Sequence, residues 1–491
     1  MGLMRFVVAP PNQVTAAMAQ QAYLSGMEGS PWGVHTTHTN GELVLERFVG
    51  DSGNLHIPWP VAGRGQIGLS TTSLMERPEP YYLPLELARG KISQIRDQQA
   101  EWETKGLQVP DAVTQAVRQA TGYLGQAVQG APGSLESAEL AQRALETALA
   151  AADLLAECYA EQALASRQRA SPRLPTLLGA RLGLGPLDDP IAAKYLETFN
   201  AAIVPFCWRQ IETSEETHSW DLSDQQVAWC RGRGLSVYGG PLIQLDPRTT
   251  PDWLCLCEGD FESLVQFASE FIQATVTRYR GQVGMWVCAG RVNTATAVAL
   301  SEEEKVKLAA RAVELTRTLD PDTPIAVSFD QPWAEYLGRS AMEFPPLHFA
   351  DALVRADLGV RALMLEINLG YHPGGTLLRD PLELSRQMDD WAFLGVPLCP
   401  LVTVPSATDE DPQAQRRARP ASSHWDLKAQ ADWVRRCVPL LVAKPYVQGV
   451  FWGQLDDSQP HEFPHGGLFD SGGRPKPALA HLAGLRRACL K

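Results

Sequence analysis

The stretch Tyr279-Arg280-Gly281-Gln282-Val283-Gly284-Met285-Trp286-Val287 joins a helical segment, Glu262 to Arg278, to a short apolar run, Val283 to Val287. A long amphipathic stretch reads as a helix, and a short apolar run behind a turn signal as a buried strand. The pattern repeats on both sides. Before it stand Thr176 to Ala180, Ala201 to Val204 and Leu235 to Tyr238. After it stand Ile325 to Phe329, Ala362 to Leu365, Val396 to Leu401 and Gly449 to Trp452. Ser301 to Leu319 and Pro381 to Phe393 are further helical spacers, and Gly359 and Gly395 sit where a helix should end before a strand. Eight strands alternating with helices over residues 171–491 predict an α/β fold, a (β/α)8 TIM barrel. A doubly wound open sheet is the alternative, and the lack of a Gly-x-Gly-x-x-Gly after the first strand speaks against it.

Two stretches of different texture precede the barrel. Residues 1–82 hold short strand-like runs, among them Arg5 to Val8, Glu42 to Val49 and Leu55 to Trp59. Asn40-Gly41 and Asp51-Ser52-Gly53-Asn54 read as hairpin connectors, which makes this a small β-rich unit. Residues 83–170 are helical. Leu83 to Thr104 carries Arg89, Lys91 and Arg96 on its polar side. Val109-Pro110-Asp111 opens a second helix, which Gly130-Ala131-Pro132-Gly133 breaks. Ser134-Leu135-Glu136-Ser137 opens an Ala-rich third helix, and the last two predict a helical hairpin whose apolar face packs on its own neighbours.

Composition narrows the partners. The 491 residues carry 43 basic and 56 acidic side chains, a net charge of −13, so nothing is set aside to neutralise the phosphates of a nucleic acid. No run approaches the ~20 apolar residues of a membrane span. The apolar stretch of Met1-Gly2-Leu3-Met4-Arg5-Phe6-Val7-Val8 is too short for a secretion signal, and Phe6 stands where myristoylation needs Ser or Thr. Nine cysteines are scattered without a Cys-x-x-Cys pair, which fits buried thiols and a cytoplasmic location. Cys255-Leu256-Cys257 would face one side of a strand, but two further metal ligands are missing nearby. Neither a metal nor a cofactor is expected. Thirteen tryptophans serve sugar stacking or a large core equally well.

Active residues of such a barrel sit at the C-terminal strand ends. Just past the runs stand Trp208, Gly240, Arg291, Asp330, Glu366 with Asn368, Thr403, and Gln454 with Asp456 and Asp457. This rim is polar and aromatic, not cationic, as sugar sites are. Four stretches there resemble glycoside hydrolase family 10, the xylanase-type β-1,4-glycanases. Phe199-Asn200-Ala201-Ala202-Ile203-Val204-Pro205 is similar to the family's Phe-Asn-x-x-x-x-Pro. Trp220-Asp221-Leu222-Ser223-Asp224 through Gly234-Leu235-Ser236-Val237-Tyr238-Gly239 resembles its next helix and strand. Tyr279 to Trp286 looks like its Tyr-x-Gly-x-Val-x-x-Trp. Gly449-Val450-Phe451-Trp452-Gly453-Gln454-Leu455-Asp456, with Gly467-Leu468-Phe469-Asp470 and Pro475-Lys476-Pro477-Ala478, resembles the family's ending and is the most specific of the four. Residues 1–170 lie outside the resemblance.

The resemblance implies a protein of carbohydrate metabolism that acts on or binds β-1,4-linked xylan- or glucan-type oligo- or polysaccharides. The family hydrolyses with two glutamates whose carboxyls lie ~5 Å apart. Here the matching acid/base position holds Arg291, which cannot donate a proton near neutral pH. The nucleophile position falls on Val402 in one register, which keeps the strand count at eight, and on Glu366 in another. Three readings follow. An O-glycosyl hydrolase of endo-β-1,4-xylanase type would use relocated carboxylates, with Glu366, Asp330 and Asp456 as catalytic candidates, Asp457 beside them, and two rim carboxyls within roughly 10 Å. A pseudoenzyme would bind glycan without cutting it, through Trp208, Trp286, Asn368, Trp452 and Gln454, with Trp333 as a further indole; this reading expects an open groove with exposed indoles and loses that support if all four are buried. A protein-interaction scaffold would have a closed rim. Arg291 is placed to pair with Glu366, which would depress the carboxyl's pKa. His372, His461 and His465 lack metal-binding spacing and read as loop residues. The oligomeric state is not legible.

Overall fold

A computed structural model of the chain describes residues 2–26, 28–215, 217–340, 342–415 and 418–491. Its centre is a closed barrel of eight parallel strands. They are β1 (Leu177–Arg181), β2 (Ala201–Val204), β3 (Ser236–Gly239), β4 (Met285–Gly290), β5 (Ile325–Asp330), β6 (Val360–Asn368), β7 (Leu398–Thr403) and β8 (Gly449–Trp452). Each pairs with the next in sequence, and β8 closes on β1 through Val450↔Leu178 and Trp452↔Ala180. The TIM barrel read from the sequence is therefore the observed fold, and the open-sheet alternative is excluded by the closure.

Alternation along each strand builds two cores. Ala201, Ile203, Tyr238, Met285, Met364 and Phe451 point into the barrel and fill it. Their neighbours, such as Ala202, Val204, Val237 and Trp286, point outward against the surrounding helices. A fully buried side chain of this size stabilises by about 1.5–3 kcal/mol, so shifting a strand by one residue would forfeit both cores. Local signals start and stop the helices. Ser301 and Glu304 form a capping box ahead of Glu302–Leu319. Gly359 and Gly395 adopt positive φ of 89° and 70° after their helices, where an L side chain is disfavoured.

The first 82 residues form two four-stranded sheets. One orders Val34–Thr39, Glu42–Arg47, Gly2–Val7 and Tyr81–Tyr82; the other orders Pro31–Trp32, Tyr23–Ser25, Asn54–Val61 and Gly65–Ser70. Asn40 and Gly41, at φ of 52° and 78°, make the two-residue hairpin turn their sequence predicts. The second expected connector differs. Residues 51–54 carry the chain from one sheet to the other rather than closing a hairpin, because Asn54–Val61 pairs with Tyr23–Ser25 and Gly65–Ser70.

Three helices follow: α1 (Leu83–Thr104), α2 (Asp111–Gln129) and α3 (Leu135–Ala170). Ser134 caps α3 by accepting from the Ser137 N–H. The Ala-rich face of α3 packs on α1 and α2 through Ala148, Ala151 and Ala152. Lys91 corrects the polar-side reading of α1. It is buried, and its ammonium lies 2.6 Å from Asp380 of the barrel helix Pro381–Ala392's N-cap. The Cys255-Leu256-Cys257 stretch also differs from expectation: it belongs to a 3-10 turn, Asp252–Cys257, not a strand. Cys255 is exposed, and the side chain of Cys257 lies outside the described residues. Among the described residues no group of three or more His, Cys, Asp or Glu is arranged to hold a metal ion. No helix among them is long and apolar enough to cross a membrane.

Candidate functional site

The C-terminal ends of the strands open into a pocket of about 1040 Å³, counted to its open mouth. Apolar groups such as Leu182, Phe206, Leu242 and Phe463 line part of it. The polar lining is built around one carboxylate. Glu366 stands near the end of β6, where the strand's inward alternation sets it and Asn368 toward the pocket. Its carboxylate is buried and fully engaged. Ser328 donates to Oε1 at 2.8 Å, Arg181 approaches the same oxygen at 3.2 Å, and Arg291 donates to Oε2 from Nε at 2.7 Å and lies 2.5 Å away through Nη2.

Arg291 uses its remaining amino group on Glu462, 2.5 Å away, and Arg248 lies 3.6 Å from the other oxygen of Glu462. The result is an alternating chain, Arg181–Glu366–Arg291–Glu462–Arg248, across the pocket. All five side chains line it. Burial alone would raise the Glu366 pKa, but Arg291 and Arg181 outweigh it and hold the carboxyl below its ordinary value. Burial likewise opposes the Arg291 charge, and Glu366 and Glu462 override it. The Arg291 backbone is left-handed, φ 53°, an uncommon conformation outside glycine that turns the chain sharply at the end of β4. The expected pairing of Arg291 with Glu366, and its effect on the carboxyl, are both present.

The other carboxylates have different tasks. Asp330 is fully buried and does not line the pocket. Its Oδ1 accepts from Asn368 at 3.3 Å, and its Oδ2 from Thr294 at 3.3 Å and Gln331 at 3.2 Å, so it ties β5 to β6. Asp456 lines the pocket, with Oδ1 accepting from the Ser458 N–H at 3.0 Å. Asp457 faces away from it, held by Lys476 at 2.5 Å and by the Gly467 N–H at 2.7 Å. Gln454 lines the pocket, donating to Asp457 and accepting from the Phe463 N–H.

The tryptophans are largely core. Trp286 is buried against Phe206 and donates to Asp320 at 2.9 Å; Trp452 is buried and donates to the Gly466 carbonyl at 2.8 Å. Trp333 is 9% exposed, with Arg379 over its ring. Trp208 reaches the pocket but stacks on Phe271 and donates to Glu212 at 2.7 Å. None of the four offers an exposed face for stacking, because these large rings pack in the outer core, so the indole platforms expected of a glycan binder are absent and any sugar contact falls to the pocket's polar and aliphatic lining. Val402 packs in that same outer core, and its neighbour Thr403 is the residue β7 turns toward the pocket. His461 lines the pocket, its ring nitrogens 2.9 Å from the Gln459 carbonyl and 2.8 Å from Asp411. His465 lies against the Asp409 carbonyl, and His372 stands in a separate cleft.

Three members of the ion chain were absent from the sequence reading: Arg181, Arg248 and Glu462. They correct the expectation of a rim without cations. Arg181 ends β1, one residue beyond the predicted run, so the rule that found Glu366 finds it once the strand end is right. Arg248 and Glu462 lie in irregular loops after β3 and β8, and no periodicity marks them.

No protein-family model matches the chain, and no curated protein sequence matches it. Its solved structural neighbours include xylanases. Xylanase 10B from Thermotoga petrophila RKU-1, in complex with xylobiose, is 16% identical with a TM-score of 0.49, over 67% of this chain and 96% of that one. Native xylanase 10B from Thermotoga maritima is 16% identical with a TM-score of 0.49, over 65% of this chain and 97% of that one. Xylanase B from Clostridium stercorarium F9 is 17% identical with a TM-score of 0.48, over 65% and 98%. The overlap falls short of the whole chain.

Proposed function

We propose that the barrel binds a saccharide in its rim pocket and does not cleave it by the two-carboxylate route. The carrying observation is the single guanidinium shared by Glu366 and Glu462. Two carboxylates on one guanidinium lie within roughly 7 Å of each other, close enough for a glycosidase pair. A glycosidase also needs one of them protonated, with a raised pKa, to release the leaving oxygen. Arg291 favours the ionised form of Glu366 and is ion-paired with Glu462. It also occupies the space between them that a glycosidic bond would need. The polar groups and apolar walls of an open pocket suit a sugar's mixture of hydroxyls and C–H faces. The sequence resemblance to family 10 makes a β-1,4-linked xylan- or glucan-type chain the first ligand to try. An open rim speaks against the scaffold reading.

The test is reducing-end release from xylans, β-glucans and short oligosaccharides, with Glu366→Gln alongside and binding of the same oligosaccharides followed by intrinsic fluorescence. Saturable binding without release is expected. Release that disappears in Glu366→Gln would show that the carboxylates still do chemistry. Absence of any binding would remove the saccharide reading.

A further inference from the structure

The two N-terminal sheets have four edges, and three of them are blunted. Tyr81–Tyr82 and Pro31–Trp32 are only two residues long, and Gly65–Ser70 is covered where Gly68 donates to the Leu378 carbonyl. Short or covered edges protect a sheet from unwanted strand pairing. The fourth edge, Val34–Thr39, is six residues long and pairs on one side only, with Glu42–Arg47. The ladder fixes which of its groups face outward. The Val8 N–H donates to the Gly41 carbonyl at 2.7 Å, so the odd-numbered residues of 41–47 face Gly2–Val7 and the even-numbered ones face Val34–Thr39. The register then joins Glu42, Val44 and Glu46 to Thr39, Thr37 and His35. The N–H and C=O groups of Val34, Thr36 and His38 therefore point away from the sheet. Among the described residues none of these groups has a hydrogen-bond partner. The strand also lacks the usual edge protection. It holds no proline and no Lys, Arg, Asp or Glu, and Val34, Thr36, Thr37 and Thr39 are β-branched.

We propose that this edge is a self-association site, on which a second copy of the chain pairs antiparallel through the same strand. A two-fold axis through Thr36 is the symmetric register that uses all three outward residues. It sets Thr36 opposite the second copy's Thr36, and Val34 opposite the second copy's His38, so every outward N–H and C=O finds its complement. On the exposed face His35 falls opposite the second copy's Thr37, and no like charges meet. That neutrality matters in a chain of net charge −13, whose copies repel one another overall. A foreign strand would satisfy the backbone equally well, but an uncharged edge offers it no complementary charge to be selected by. The two copies would share one sheet, each contributing the four strands of its own. Val34–Thr39 takes no part in the rim pocket, so the pairing is independent of what that pocket holds.

The experiment is sedimentation equilibrium of the full chain at neutral pH, over a concentration range reaching a few hundred micromolar. A reversible monomer–dimer equilibrium is expected, with a dissociation constant of about 1–100 μM, as for an interface at the small end of the range. Added salt is expected to strengthen it by screening the repulsion between the two copies. His35→Glu combined with Thr37→Glu changes two exposed positions and sets carboxylates opposite one another across the joint. It is expected to weaken the dimer about tenfold or more. Thr36→Pro removes the central outward N–H, at a place where an edge strand tolerates proline, and is expected to abolish the dimer. Circular dichroism checks the fold of each variant. If Thr36→Pro fails to fold, the double glutamate variant still decides. A monomer throughout the range overturns the proposal, whether the edge then stays open or takes a strand from another protein. A dimer indifferent to the double glutamate variant overturns it too, because the contact then lies on another surface.

Discussion

Glu366 is surrounded by groups that reward its charge, and Arg291 is the residue that makes this possible. Removing the guanidinium takes from Glu366 and Glu462 their shortest ion pairs in a largely buried site. Arg291→Met is therefore expected to cost about 3–5 kcal/mol, as breaking a buried pair does. Chemical denaturation at pH 7 checks it, and a loss below 1 kcal/mol would mean that the glutamates find other partners. The same contact fixes a pH dependence. The folded-state pKa of Glu366 lies below its ordinary value near 4.5, so its contribution is complete above that pH and is lost as pH falls through the folded value. In Arg291→Met that loss is expected to begin at higher pH. At this scale the sequence was partly legible. Glu366 and Arg291 stood out because an apolar strand ends abruptly in a charged residue. Glu462 did not, because a loop brings it back ten residues after its strand, and no pattern encodes that return.

At the scale of elements, the contact between α1 and the barrel helix Pro381–Ala392 is unusually polar. Lys91 pairs with Asp380, and Glu383 accepts from Gln94 of α1 and from Arg386. Burial would raise the Glu383 pKa, but Arg386, Lys91 and Arg379 together bring it down to about 2. The sign follows: Glu383 stabilises fully above about pH 4.5 and loses its contribution as pH falls toward 2. The shift corresponds to about 3 kcal/mol. Glu383→Gln is expected to be less stable than the wild type at pH 7 and to approach it near pH 2, in denaturation curves taken across that range. A constant difference at all pH values would contradict the assignment. The hairpin turn at Asn40-Gly41 supplies a second check. Gly41→Val puts a β-branched residue at φ 78° and a Cβ 2.9 Å from Pro11, and is expected to cost about 1–3 kcal/mol in the same assay. Periodicity and turn residues made these elements readable before their packing was known. The burial of Lys91 was not readable, since a helix's own sequence does not say which neighbour waits with a carboxylate.

Across the whole molecule, the β sheets, the three helices and the barrel are joined by contacts that bury charge. Arg379 of the loop after β6 lies 3.3 Å from the Tyr23 hydroxyl of the first sheets' core, and Arg436 of the barrel lies 2.8 Å from Asp153 of α3. Gly68 of the second sheet donates to the Leu378 carbonyl at 2.7 Å. Separating these parts would break the Lys91–Asp380 pair and take Tyr23 from Arg379 and Gln94 from Glu383. The full chain is therefore expected to unfold in a single calorimetric transition, and two transitions well apart in temperature would show that the barrel stands alone. The rim pocket is lined by the ion chain, which draws on β1 and β6 and on the segments after β3, β4 and β8, and that pocket is the place where a ligand is expected. The most direct measurement is calorimetric titration of the full chain with xylohexaose, cellohexaose and a glucuronic-acid-branched xylo-oligosaccharide. A parallel titration uses Leu184→Trp, which places a large ring in the pocket lining from a half-buried position. Saturable binding of at least one ligand by the wild type, weakened in Leu184→Trp, is the predicted result. Absence of binding to all three, or binding indifferent to the blocked pocket, would contradict it.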